Sequence, residues 1–130
     1  MKTISFSVIA ALLFVVRSVS AEEPKVEKPK QFIYVLHLAP RLFDDNAWTD
    51  QDKAAVQRHL ANFKEAIKSG QLILAGRTLE SGDKTFGVAI FEANDEAAAR
   101  KFMEADPAVA AGVMTAELHP FAVVLERKNP

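Results

Sequence analysis

Hydrophobic positions along this chain fall into two alternating periods. Phe32–Ala39 reads FIYVLHLA, a run of aromatic and β-branched residues closed by Pro40, and predicts a strand. Val56, Leu60, Phe63 and Ile67 recur at spacings of 4, 3 and 4, which is one face of a helix. Thr49 or Asp50 can cap that helix, which runs to about Ser69, with Gly70 in the stop position. Between strand and helix, Arg41–Asn46 reads as a loop. Gln71–Leu79 and Thr85–Glu92 predict two more strands around a Ser81-Gly82-Asp83 turn. Asn94 is a good N-cap, and Asp95 and Glu96 follow where the helix dipole favours anions. This second helix runs to about Ala105, is broken by Asp106-Pro107, and is followed by a last strand, Ala116–Glu126. The order β-α-β-β-α-β is the split arrangement of ferredoxin-like α+β folds, an antiparallel sheet with two helices on one face.

Both faces of that sheet read as apolar. Phe32, Tyr34, Leu36 and Leu38 alternate with Ile33, Val35, His37 and Ala39 on the first strand. Phe86, Val88 and Ile90 alternate with Gly87, Ala89 and Phe91 on the third. Phe121, Val123 and Leu125 alternate with Ala122 and Val124 on the fourth. A half-solvated antiparallel sheet would alternate apolar with polar residues. An uncovered apolar face marks an interface, and the expected partner is a second copy, sheet against sheet.

The ends of the chain carry a different pattern. Ile4–Val16 is apolar apart from Ser5 and Ser7, Lys2 precedes it, and Val19-Ser20-Ala21 offers small residues for cleavage. This is the layout of a secretory signal peptide over 1–21. Arg17 stops the run short of the ~20 residues a membrane span needs, so stable membrane insertion is not expected. The product is expected to be exported, periplasmic or secreted. Residues 22–31, mostly EEPKVEKPK, read as a flexible linker, and 32–130 as one domain.

Cleavage leaves 14 basic and 17 acidic residues, which argues against a nucleic-acid partner. The chain has no cysteine, which excludes disulfides, thiolate metal sites and a cysteine nucleophile. His37, His59 and His119 do not show the close helix spacing of a zinc protease, and no glycine-rich phosphate loop or Gly-x-Ser-x-Gly elbow is present. No metal is therefore expected.

The predicted topology brings His37, Trp48, Arg77, Asp106, Glu117 and His119 to one end of the sheet, with His59 beside the apolar stripe of the first helix. Each has a structural reading too. His59 can be a packed helix histidine, and His37 a satisfied histidine in an apolar strand. Arg77 can pair with Glu80 or Asp83, and Trp48 can cap a core edge. Asp106, Pro107 and Gly112 together form the punctuation of a one-turn helix: cap, first residue and stop.

Two stretches carry a family resemblance. One is Arg58-His59-Leu60-Ala61-Asn62-Phe63 followed by Ser69-Gly70-Gln71-Leu72-Ile73-Leu74-Ala75-Gly76-Arg77. The other is Ala105-Asp106-Pro107-Ala108-Val109-Ala110-Ala111-Gly112-Val113 followed by His119-Pro120-Phe121. Together they resemble the YCII-like (YciI) family of the dimeric α/β-barrel superfamily, over roughly Phe32 to Leu125. The resemblance implies a ferredoxin-like protomer, a homodimer and a His/Asp site that maps onto His59 and Asp106. It also implies kinship with a dehydrochlorinase of aromatic-ring degradation and, more widely, with muconolactone isomerases.

Two functions fit these residues. One is a cofactor-free enzyme: His59 takes a proton from a small organic acid, lactone or phenol, Asp106 orients the imidazole, and Arg77 holds an anionic group. The other is a non-catalytic module holding a small ligand through His37, Arg77 and Trp48. Asn in place of Asp106 is expected to keep the helix cap and lose only the charge.

Overall fold

The structure, a computed structural model, describes residues 27–128. The leader read at 1–21 and the first part of the linker, 22–26, lie outside the described residues. Four strands form one antiparallel sheet: β1 (Lys30–Leu38), β2 (Leu72–Arg77), β3 (Phe86–Ala93) and β4 (Met114–Pro120), in the order β2-β3-β1-β4. Helices α1 (Asp50–Lys68) and α2 (Glu96–Glu104) follow β1 and β3, and α3 (Pro107–Ala110) is a single turn before β4. This is the ferredoxin-like α+β arrangement.

Local chemistry accounts for the element ends. Thr49 caps α1: its Oγ1 accepts from Asp52 N–H at 3.2 Å, and Asp52 Oδ2 accepts from Thr49 N–H at 3.0 Å. That reciprocal pair satisfies two of the donors a helix start leaves unpaired. Asp95 rather than Asn94 caps α2, because its Oδ1 accepts from Ala98 N–H at 2.7 Å, three residues on. Gly112 ends the α3 turn at φ +70°, a conformation costly for any residue with a Cβ.

Three expectations are corrected. Lys30 and Gln31 are not linker: they pair with Ala93 and Glu92 and begin β1. The fourth strand is Met114–Pro120, not Ala116–Glu126. It starts earlier because the Gly112 turn delivers Met114 opposite Leu38. It stops earlier because Pro120 has no N–H to donate; after one further bond from Phe121 N–H to Gln31 O the backbone leaves the ladder. Phe121–Leu125 therefore have no strand alternation. The open face of β4 carries Thr115, Glu117 and His119 instead, so that face is apolar where Ile33, Val35, Phe86, Val88, Ile90 and Leu74 stand.

The core lies between the sheet and the helices. Phe32, Tyr34 and Leu36 of β1 pack with Leu72, Ala89 and Phe91 beneath Phe63, Ala66, Ala99 and Met103 of the two long helices. A smaller cluster of Leu42, Ala55, Ala108 and Val113 seats α3 against α1. That second contact positions the site.

Candidate functional site

Helix α1 presents His59 on the flank of its apolar stripe, and the α1–α3 contact brings the N-cap of α3 beneath it. His59 Nδ1 lies 2.7 Å from Oδ1 and 2.8 Å from Oδ2 of Asp106. The same carboxylate caps its own helix by accepting from Ala108 N–H at 2.9 Å. A third donor comes from the sheet: the Tyr34 hydroxyl donates to Oδ2 at 2.8 Å. Asp106 is fully buried and His59 nearly so, with relative exposures of 0% and 6%.

The electrostatics follow from these bonds. Burial by itself pushes the Asp106 carboxyl up. The hydrogen bond and charge of His59, with the bonds from Tyr34 and Ala108, outweigh burial and hold the carboxyl below its ordinary value. The Tyr34 phenol is pushed far above its usual range, first by burial and then by the negative charge of Asp106. Asp106 is therefore an anion that only accepts, and Tyr34 is a donor. An acceptor-only carboxylate assigns the proton on the facing imidazole nitrogen to Nδ1. With the proton on Nδ1, Nε2 is the ring nitrogen that can accept a further proton. No group among the described residues bonds Nε2, and no buried side-chain nitrogen or oxygen lacks a partner, so Nε2 keeps contact with solvent.

His59 is one of the residues lining a cavity of about 570 Å³ between α1 and the β2–β3 side of the sheet. Val56, Leu60 and Phe63 continue the α1 wall, and Leu36 and Leu38 of β1 line the other side. Gly87 keeps the floor open: a Cβ there would come within 3.3 Å of the Gly76 carbonyl oxygen and 3.6 Å of Leu36 Cβ. Arg77, at the end of β2, is exposed and borders the cavity, and no acidic side chain pairs with it among the described residues.

Trp48 also borders the cavity, held there by a strap. Its indole N–H donates to the Leu42 carbonyl at 3.1 Å. Arg41 donates to both carboxylate oxygens of Asp52, at 3.0 and 2.7 Å, which ties the β1–α1 connection to the helix start. The Arg41 bonds and the Thr49 N–H hold the Asp52 carboxyl well below the usual carboxylate range.

Of the residues singled out in the sequence, His59, Trp48 and Arg77 meet at this cavity, and Asp106 stands behind His59. His37 does not join them. Leu36 and Leu38 point to the cavity side, so the period-two alternation of β1 turns His37 to the open face, where its ring lies 6.2 Å from that of Phe86. Glu117 and His119 lie on that same open face, 3.4 Å from each other. The structure adds Tyr34 and the Arg41–Asp52 pair to these residues. A lone hydroxyl in an otherwise apolar strand is the signal that marks Tyr34, and Thr49-x-x-Asp52 is a readable capping pattern. Among the described residues no group of three His, Asp or Glu side chains is placed to hold a metal ion, and no helix is long and apolar enough to cross a membrane.

Fold and site together define a small ferredoxin-like α+β protein with a buried carboxylate–histidine pair beside a cavity of small-molecule size. The family model of the YCII-related domain matches residues 34–122, and the chain belongs to that family. A search of curated proteins gives no match. Among solved structures, the chain is similar to SnoaB, a cofactor-independent oxygenase from Streptomyces nogalater. The identity is 18% and the TM-score 0.38, over 75% of this chain and 96% of that one.

Proposed function

We propose that this YCII-related domain is a cofactor-free enzyme that moves a proton on a small organic acid, lactone or phenol. One observation carries the reading: His59, a residue lining the cavity, bonds a buried carboxylate through Nδ1 and leaves Nε2 unbonded among the described residues. His59 Nε2 accepts the proton from a substrate carbon or hydroxyl. Asp106 fixes the tautomer and stabilises the imidazolium that forms. The proton then returns to another atom of the same molecule in an isomerisation, or a leaving group departs in an elimination. In the opening of a lactone it goes from water to the ring oxygen. Arg77 holds a carboxylate or oxyanion by paired N–H donors, and Trp48 packs on the apolar part of the molecule.

The experiment is solvent deuterium incorporation, followed by proton NMR, with a panel of small carboxylic acids, lactones and phenols in D2O. Exchange or turnover of at least one compound, lost in His59→Asn, is expected. Saturable binding without exchange of any compound, equal in wild type and His59→Asn, would overturn the reading in favour of a non-catalytic binding module. The mostly apolar cavity walls would serve such a module equally well.

Two further parts complete the proposal. The protein is exported and cleaved between Ala21 and Glu22, which the apolar run at Ile4–Val16 supports. A soluble product retaining Met1–Ala21 in an exporting host defeats that part. It also works as a homodimer that covers Ile33, Val35, Val88 and Ile90, apolar side chains on the face away from the helices. A monomer mass by light scattering at micromolar concentration would be decisive against it.

A further inference from the structure

One of the three donors to Asp106 has no part in the proton-transfer reading. Tyr34 is the only tyrosine of the chain and is fully buried. It stands in the middle of β1, opposite Ala89 of β3 and Leu118 of β4. Phe63, Phe91 and Phe102 surround its ring, with centroids 6.3, 5.5 and 6.3 Å away. Phenylalanine would fill that space without bringing a polar atom into the core. A buried hydroxyl is tolerated only with a partner, and this one donates to Asp106 Oδ2 at 2.8 Å. Ala108 N–H holds the other oxygen at 2.9 Å. The carboxylate is thus gripped at both ends, with both oxygens turned to His59 Nδ1.

We propose that Tyr34 is a positioning residue for His59, acting through Asp106: its hydroxyl fixes the carboxylate plane against the imidazole and takes up part of the negative charge. The inference rests on the reading of His59 as the group that moves the proton. The donor strength of Tyr34 then sets how strongly Asp106 draws on the Nδ1–H of His59. His59 from α1 and Tyr34 from β1 are the ionisable side chains that bond this carboxylate among the described residues. With the phenol held far above its usual range, the hydroxyl keeps its proton and remains a donor.

Because the chain has one tyrosine, growth on 3-fluorotyrosine alters position 34 alone and makes it a stronger donor. Tyr34→Phe removes the donor at nearly unchanged volume. The test is the titration of the Asp106 carboxyl by carbon NMR, together with the resonance of the His59 Nδ1 proton, in both proteins. Tyr34→Phe is expected to raise the Asp106 midpoint by about one pH unit and move the Nδ1 proton downfield. The fluorinated protein is expected to shift both the opposite way, by less. A packing role predicts no such opposed pair. An Asp106 midpoint and a Nδ1 proton unmoved by either change would overturn the inference, leaving Tyr34 as core filling. If Tyr34→Phe fails to fold, the fluorinated protein decides alone. Neither readout uses turnover, so a failure of the proton-transfer reading is seen separately in the deuterium experiment.

Discussion

Asp106 and His59, 47 residues apart, meet through an oxygen that already serves another bond. Oδ1 accepts from Ala108 N–H to cap α3 and also stands 2.7 Å from His59 Nδ1. The cap and the histidine contact are therefore not alternatives. The geometry that starts the one-turn helix is the geometry that aims the carboxylate at α1.

This double use changes what substitution of Asp106 does. The expectation that Asn keeps both cap and stability is corrected, because a carboxamide has one acceptor oxygen where three donors converge. Asp106→Asn is expected to lose about 1–2 kcal/mol, for a buried donor left without an acceptor. Asp106→Ala also loses the cap, worth about 1 kcal/mol, and is expected to lose about 2–3 kcal/mol in all. Urea denaturation of the three proteins checks the order.

Acid sensitivity follows from the same group. The folded protein holds Asp106 below its unfolded value of 3.8, so in acid the unfolded chain takes up the proton more readily. Its stabilisation is complete above that value and is lost as pH falls through the lower folded value. The urea midpoint of the wild type should fall more steeply below about pH 4 than that of Asp106→Asn. Parallel curves for the two proteins would show that Asp106 adds nothing to the acid response.

Trp48 is the chain's single tryptophan, so its fluorescence reports the strap directly. Arg41→Gln removes the paired bonds to Asp52 and frees the connection before α1. We expect red-shifted emission and easier acrylamide quenching, with little change in global stability, since Arg41 is half exposed. Emission identical to wild type would mean that the indole bond to Leu42 is enough to hold the wall.

Gly112 sets the start of β4 from a φ of +70°. Gly112→Ala is expected to cost about 1 kcal/mol from backbone strain, although nothing lies within 4 Å of the added Cβ. A thermal midpoint equal to that of the wild type would contradict the strain argument.

What could be read from the sequence alone is what local physics controls. The 4-3-4 spacing of Val56, Leu60, Phe63 and Ile67, with Thr49 ahead and Gly70 behind, specifies α1 within a residue at either end. Asp106, Pro107 and Gly112 announce the α3 turn because cap, ring and left-handed stop act within one turn of backbone. The β-α-β-β-α-β order follows from the same local periods. Strand ends were less legible, since pairing sets them: β1 reaches back to Lys30 because Ala93 is there to bond it, and β4 ends where Pro120 breaks the ladder.

The site's composition was decided by packing. His37 and Leu36 are neighbours in sequence, yet the pleat sends them to opposite faces, and only the placement of the helices determines which face holds the cavity. The sequence marked His59 and Asp106 as candidates. Their bond exists because Ala55, Ala108, Val113 and Leu42 pack α3 under α1. Along the chain Tyr34 stands out only as a lone hydroxyl among apolar strand residues, which names no partner for it. Its hydroxyl acquires a role only because the core brings β1, α1 and α3 to within hydrogen-bond distance at one carboxylate, and no local period encodes that convergence.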